Sequence, residues 1–222
     1  VSSPAIEGIT IPYLSEIQGN TVTMTAPGFK AGDKVKIEAV AGDEYSAEAD
    51  VANVTAQNAT FELPAAASRD RSYKLTVLRG GVKQAEAYLH PDDQFVAIPY
   101  HLGYYLTGED EVVPTDPSMR ANEEGITRRS YMPGRIVDYN EETKEFRVWK
   151  KDAALAGFTA ATLDLTYATG VTSIKPLTDL YGPLTSVNRV YVANSSIESL
   201  DMTQFPNATL LHAWGDAGSG LN

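Results

Sequence analysis

The chain contains no cysteine, and this absence is the first limit on its chemistry. Disulfides, thiolate zinc sites, iron–sulfur clusters and cysteine nucleophiles are therefore excluded. No apolar run approaches the roughly 20 residues that a membrane-spanning helix needs, so we expect no direct membrane insertion of this chain. Histidine is scarce as well, since His90, His101 and His212 are far apart and form no H-E-x-x-H pattern. We therefore predict no metal site and no cofactor.

Basic residues are also in deficit. The chain has 18 lysines and arginines against 29 acidic residues, which gives a formal net charge of −11 at pH 7. Phosphate groups would be repelled by such a surface, so we expect neither nucleic acid nor an anionic membrane face as a partner. The simplest role for this charge is solubility.

Residues 1–90 show an alternating pattern of apolar and polar residues. In one short run Val22 and Met24 face one side and threonines face the other. Gly80-Gly81 between two such runs is typical of a tight hairpin. Several short strands separated by turn residues predict a β-sandwich. The predicted strands are residues 9–11, 21–25, 34–39, 46–52, 60–63, 73–79 and 82–89.

Residues 91–152 are predicted to be a connecting region that ends in a β-hairpin. Residues 135–139 and 144–149 flank the turn Asn140-Glu141-Glu142-Thr143. A short solenoid needs a cap over its apolar end, and Tyr139, Phe146 and Trp149 of the hairpin are the candidates for covering it. Residues 152–158 are then predicted to form one helical turn with Asp152 as its N-cap.

Residues 153–222 have the spacing of leucine-rich repeats, whose pattern is L-x-x-L-x-L-x-x-N-x-L. Leu163 precedes Val190 by 27 residues and Leu211 follows it by 21, so the pattern recurs on both sides. The fold class is therefore predicted as mainly β, with the β-sandwich followed by a short leucine-rich-repeat-like solenoid. The apolar positions of the central repeat are Val187, Val190, Val192 and Ile197, and its polar corner is Asn194 and Ser195.

Alternate residues of the repeat strands would be displayed instead of buried. Repeat proteins commonly bind ligands on that sheet face, and an exposed group of tyrosine, histidine and tryptophan is typical of a binding surface. The alternative is a solvated face on which Trp214 covers the end of the solenoid. The candidate ligand-binding residues are Asp164, Arg189, Tyr191, His212 and Trp214.

The stretch Gly28-Phe29-Lys30-Ala31-Gly32-Asp33 resembles the turn that follows a strand in Ig-like domains of the TIG type, with Ala26-Pro27 replacing the first glycine. Together with the repeats, the chain resembles secreted leucine-rich-repeat proteins of gut Bacteroidetes over residues 8–90 and 160–222. This resemblance implies export to the cell surface or outer membrane and a lipid anchor. Val1-Ser2-Ser3-Pro4 reads as a trimmed start, so we expect that an export signal preceded it.

Three functions stay open at this stage. The first is a non-catalytic binding or adhesion module whose repeat face meets a protein or glycan ligand. The second is a glycan-capture accessory protein of a polysaccharide uptake system, in which Tyr100, Tyr104 and Tyr105 stack on sugar rings. The third is a glycoside hydrolase with two loop carboxylates. We expect no enzyme, because the chain has no P-loop, nucleophile elbow or dinucleotide fingerprint.

The acidic loop 109–116 has two interpretations. Solvated loop charge is the first, and a calcium site is the second, because Ca²⁺ prefers six to eight oxygen ligands. No D-x-D-x-D-G ladder supports calcium in this loop.

Overall fold

The computed structural model describes residues 6–99, 102, 138–140, 142–165, 171–193 and 195–213. The chain divides into two compact units, Val1–Gln94 and Phe95–Asn222, called unit 1 and unit 2 below. The fold is mainly β, with antiparallel sheets in both units and a small parallel sheet in unit 2. The hairpin predicted within residues 91–152 and the parallel sheet belong to the same unit. The three-part division at residues 90 and 152 stays a prediction.

Unit 1 contains two antiparallel sheets. One pairs β1 with β4, and the other has the strand order β3-β2-β5-β6. The strands are β1 (Thr21–Thr25), β2 (Lys34–Ala39), β3 (Ser46–Asp50), β4 (Asn58–Glu62), β5 (Tyr73–Arg79) and β6 (Val82–Leu89).

The alternating pattern of unit 1 sorts side chains as predicted. Val22 and Met24 of β1 are buried, while the threonines between and beside them are not. Residues from both sheets join one apolar cluster, which explains why each sheet is apolar on a single face. The strand predicted over residues 9–11 is wrong in extent, because only Thr10 bridges to Thr25.

Two glycines close the hairpin between β5 and β6. Gly80 and Gly81 have φ angles of 56° and 79°, and Arg79 pairs with Val82 across them. Two successive positive φ angles give the turn a twist that matches the flanking strands. Residues other than glycine adopt such angles only with strain. The tight hairpin predicted here is confirmed.

The turn that ends in Asp33 is held by an ion pair between this buried carboxylate and the partly exposed Arg79. Arg79 Nε lies 2.8 Å from Asp33 Oδ1, and Arg79 Nη2 donates to Asp33 Oδ2 at 2.9 Å and to Gly28 O at 2.9 Å. The backbone N–H of Lys30 donates to Asp33 Oδ2 at 2.8 Å. The Arg79 guanidinium therefore fixes both ends of the Gly28–Asp33 turn to β5.

Unit 2 combines a mixed set of short elements. An antiparallel sheet has the order β7-β9-β8, and a parallel sheet has the order β10-β11-β12. The elements are β7 (Phe95–Pro99), β8 (Asp138–Asn140), β9 (Glu145–Trp149), α1 (Lys150–Ala156), β10 (Thr162–Asp164), α2 (Lys175–Tyr181), β11 (Arg189–Tyr191) and β12 (Leu210–His212).

The predicted hairpin of unit 2 is present as the pair β8–β9. Asn140 Oδ1 accepts hydrogen bonds from the backbone N–H groups of Glu142 and Thr143, at 2.9 and 3.1 Å, and so closes the turn. Phe146 joins the apolar cluster of the unit, as a capping residue would. Trp149 does not join that cluster. It is three residues further along the strand, so it belongs to the opposite face of the sheet, where its ring contacts Phe95.

The helical turn after the hairpin is real, but its predicted start is wrong. Helix α1 begins at Lys150 with Trp149 as its N-cap residue, because β9 runs directly into it. Asp152 lies buried in the first turn of the helix instead of at its cap.

One apolar cluster organises unit 2. Phe146 and Val148 from the antiparallel sheet share it with Leu163 and Val190 from the parallel sheet and with Leu177 from α2. Both α-helices in the described part of the chain have seven residues, and no described helix is long and apolar enough to cross a membrane.

Candidate ligand-binding face

The three strands of the parallel sheet stack in the predicted register. Leu163 of β10 pairs with Val190 of β11, and Val190 pairs with Leu211 of β12. Leu163 and Val190 are 0% exposed, so this line of side chains is the buried one. Side chains alternate between the two faces of a strand, and the residues on either side of this line therefore belong to the opposite face.

The same backbone hydrogen bonds occur in both steps of this sheet. Before the strands, the N–H of Asn188 donates to Ala161 O at 2.8 Å, and that of Thr209 donates to Asn188 O at 2.9 Å. After them, the N–H of Leu165 donates to Tyr191 O at 2.7 Å, and that of Val192 donates to His212 O at 2.8 Å. The two steps thus have equivalent entry and exit bonds although they differ in length.

The polar corner after β11 is satisfied by Ser195. Its hydroxyl donates to Val192 O at 2.7 Å, and the N–H of Ile197 donates to the same hydroxyl oxygen at 3.3 Å. A buried turn needs such side-chain partners because its backbone groups leave the ladder. The prediction of a polar corner is confirmed for Ser195, and Asn194 lies outside the described residues.

Six side chains form the face opposite the buried line, and we call them the displayed face. They lie in two lines that run across the strands, one through the strand starts and one through the strand ends. Arg189 and Leu210 are exposed, and the other four are partly exposed. The first line is Thr162, Arg189 and Leu210, and the second is Asp164, Tyr191 and His212.

The second line contains an aromatic pair. The ring centroids of Tyr191 and His212 are 5.7 Å apart and the rings are 88° from parallel. This edge-to-face arrangement is a favoured one for aromatic side chains. Asp164 lies beside Tyr191 on the other side, on β10. With Arg189 of the first line, the sheet therefore brings together four of the five residues predicted from the sequence.

Arg189 has no hydrogen-bonding or ionic partner for its guanidinium among the described residues. Its neighbours across the sheet are Thr162 and Leu210, neither of which is charged. The backbone N–H of Arg189 is used, since it donates to Ala161 O at 3.2 Å. The cation is therefore exposed beside the aromatic pair.

The displayed face ends after Tyr191 along the strand direction, and β12 forms its edge among the described strands. The alternation stops after Tyr191, since Val192 and Ala193 are both buried. Leu211 is 44% exposed, although it is in register with two fully buried side chains. The reason is its position in β12, beyond which the described part of the sheet has no further strand.

Several predicted site residues lie outside the described residues. Trp214 of the displayed face is one of them, and so is the acidic loop 109–116. The tyrosines proposed for sugar stacking, Tyr100, Tyr104 and Tyr105, are also outside. Their roles stay predictions.

Two of the three histidines lie within the described residues, as do several candidate metal ligands. No group of three or more histidine, aspartate or glutamate side chains in that part of the chain is placed to hold a metal ion. His90 is buried after β6, with Nδ1 2.8 Å from Ser72 Oγ and its ring stacked on Tyr88. His90 belongs to unit 1 and His212 to unit 2.

Comparison with known proteins yields one distant similarity. No protein-family model and no curated protein matches the chain. Among solved structures, a DUF4784 family protein from Bacteroides caccae is similar with 12% sequence identity and a TM-score of 0.28. The match covers 50% of this chain and 32% of that protein, so the chain spans about a third of its length. The similarity is structural and distant, and neither a leucine-rich-repeat nor an Ig-like identity follows from it.

Proposed function

We propose that the protein is a non-catalytic, exported binding or adhesion module and that the displayed face contacts its ligand. The observation that carries the proposal is the in-register line of Asp164, Tyr191 and His212, two of them packed edge to face. Aromatic side chains with a polar tip are frequent at binding surfaces because they bury area at little cost in side-chain entropy. The ligand is a protein or a glycan.

The repeated hydrogen bonds support the finer interpretation of the parallel sheet as leucine-rich repeats. Equivalent bonds at Asn188 and Thr209, and again at Leu165 and Val192, are what a repeating unit of variable length would make. In unit 1, the two antiparallel sheets around one apolar cluster support an Ig-like β-sandwich that acts as a spacer. A surface location, through a lipid anchor or secretion, belongs to the same proposal.

A ligand-binding experiment tests the proposal directly. Labelled protein is applied to a glycan array of neutral and acidic oligosaccharides and to immobilised mucin. Binding is expected to be lost in Tyr191→Ala and kept in Tyr45→Ala, which removes a partly buried ring from unit 1 instead. If both variants bind every tested ligand like the original protein, the displayed face is not the binding surface.

The other two functions separate in the same assay. Selective glycan binding that survives Tyr191→Ala and Trp214→Ala but fails in Tyr104→Ala would point to glycan capture through the tyrosines at 100–105. Release of reducing sugar from any array polysaccharide, abolished by Glu109→Ala, would point to a glycoside hydrolase. We place the displayed face ahead of both because the residues that form it are seen together.

A further inference from the structure

Building on the proposed function, we propose that the displayed face binds an acidic sugar, with Arg189 pairing its carboxylate and Tyr191 contacting its ring. A guanidinium presents its donors in a planar fork that fits a carboxylate through two parallel hydrogen bonds. An aromatic ring beside such a fork provides the flat apolar surface against which a sugar ring packs.

Arg189 differs from the other arginines of the described residues. Four of the five make side-chain hydrogen bonds or ion pairs: Arg69 and Arg71 donate to backbone carbonyls, and Arg79 and Arg147 pair with aspartates. Arg189 alone among them has no such partner. In a chain of net charge −11, a cation left without a carboxylate is available for an external anion.

Arg189 and Tyr191 also lie close to each other on the displayed face. Arg189 and Tyr191 are alternate residues of β11, so both belong to the displayed face, about 7 Å apart along the strand. His212 packs against the ring of Tyr191 and restricts its orientation. A sugar ring over Tyr191 would therefore direct a ring substituent towards Arg189.

The displayed face is small. Three strands of three residues cover about 10 Å by 7 Å, on the order of 100 Å². A stable protein–protein interface buries roughly 800 Å² on each partner. The described face is too small for that and suits a few sugar rings, which favours a glycan over a protein.

The acidic surroundings of the displayed face limit how much negative charge the ligand carries. Asp164 lies in the same face, beside Tyr191, and the whole chain is acidic. A densely sulfated polymer would meet repulsion from both. The ligand is therefore a glycan with an isolated uronic acid among neutral sugars.

The test compares matched ligands and matched variants. The probes are oligosaccharides that contain one uronic acid and their methyl esters, which keep the sugar but lose the charge. Affinity is measured by calorimetry for the original protein, Arg189→Gln, Tyr191→Ala and Lys175→Gln. Lys175 is an exposed cation that pairs with Asp179 on α2, so its loss changes the net charge equally without touching the face.

We expect the acid to bind about three- to tenfold more tightly than its ester, as one partly exposed ion pair allows. Arg189→Gln should abolish this preference, so that the variant binds the acid and the ester equally, and Lys175→Gln should keep it. Equal binding of acid and ester, or a preference that survives Arg189→Gln, would overturn the inference. Binding that is weakened by Tyr191→Ala but is equal for the acid and its ester would overturn this inference and leave the proposed function intact. Binding that is unchanged in Tyr191→Ala would overturn both this inference and the proposed function.

Discussion

The imidazole of His212 stands almost perpendicular to the phenol ring of Tyr191, with ring centroids 5.7 Å apart. The two residues are 21 positions apart in the chain and meet because β11 and β12 pair in parallel register. Such pairs contribute about 0.5–1.5 kcal/mol beyond the area that they bury. The contact therefore limits the positions open to the Tyr191 ring before a ligand arrives.

Removing the imidazole should weaken binding through Tyr191. We expect His212→Ala to lower ligand affinity several-fold, because the Tyr191 ring then loses the neighbour that restricts it. His212→Phe should restore most of the affinity, since it keeps an aromatic edge at this position. Calorimetry with a ligand identified on the array measures both. Equal affinity for His212→Ala and the original protein would show that the edge-to-face pair has no part in binding.

The buried line of the parallel sheet predicts unequal costs for two chemically identical substitutions. Leu163→Ala removes a fully buried side chain and should cost about 2–5 kcal/mol of unfolding free energy. Leu211→Ala removes a side chain that is 44% exposed, and should cost about 1 kcal/mol or less. Urea denaturation of the two variants measures the difference. Similar costs at both positions would contradict the position of Leu211 at an uncovered edge.

The ion pair between Asp33 and Arg79 should matter for the stability of unit 1. Asp33→Asn replaces a carboxylate that is 1% exposed and leaves the guanidinium without its counter-ion, at a cost of about 2–3 kcal/mol. The control is Asp50→Asn, because Asp50 is an exposed partner of Lys34 at 3.6 Å and such pairs contribute little. Denaturation of both variants measures the contrast, and the account fails here if the two cost the same.

The same pair predicts a dependence on pH. Burial alone raises the pKa of Asp33, but the hydrogen bonds from Arg79 and the Lys30 backbone and the charge of Arg79 outweigh it, so the net pKa is lowered. A lowered carboxyl pKa contributes stability above the unfolded pKa, near 3.8, and that contribution disappears as pH falls through the folded value. The difference in unfolding free energy between the original protein and Asp33→Asn should therefore shrink as pH falls below about 4. A difference that stays constant down to pH 2 would show that the charge of Asp33 is not involved.

Alternation was the part of the fold that the amino-acid sequence specified best. Val22 and Met24 are sorted to one face by a period of two, and so are Leu163 and Val190, because a one-residue shift would expose every apolar side chain. The spacings of 27 and 21 residues placed Val190 between Leu163 and Leu211 without any structural information.

Elements that depend on tertiary context were harder to predict. Helix α2 was not foreseen, although Ser173 accepts a hydrogen bond from Lys175 N and Pro176 follows, both of which favour a helix start. Trp149 was grouped with Phe146 as a capping residue, although side chains three residues apart on one strand lie on opposite faces of the sheet. Nor can a single sequence show which arginine finds a partner, so the unpaired guanidinium of Arg189 emerged only from the structure.

Backbone amide shifts in a heteronuclear NMR spectrum, recorded while an array-positive ligand is added, test the displayed face most directly. The account predicts that the largest perturbations fall on residues 162–164, 189–191 and 210–212. Strands β1 to β6 of unit 1 should keep their shifts. Perturbations concentrated in unit 1, or in unit 2 away from the parallel sheet, would contradict it.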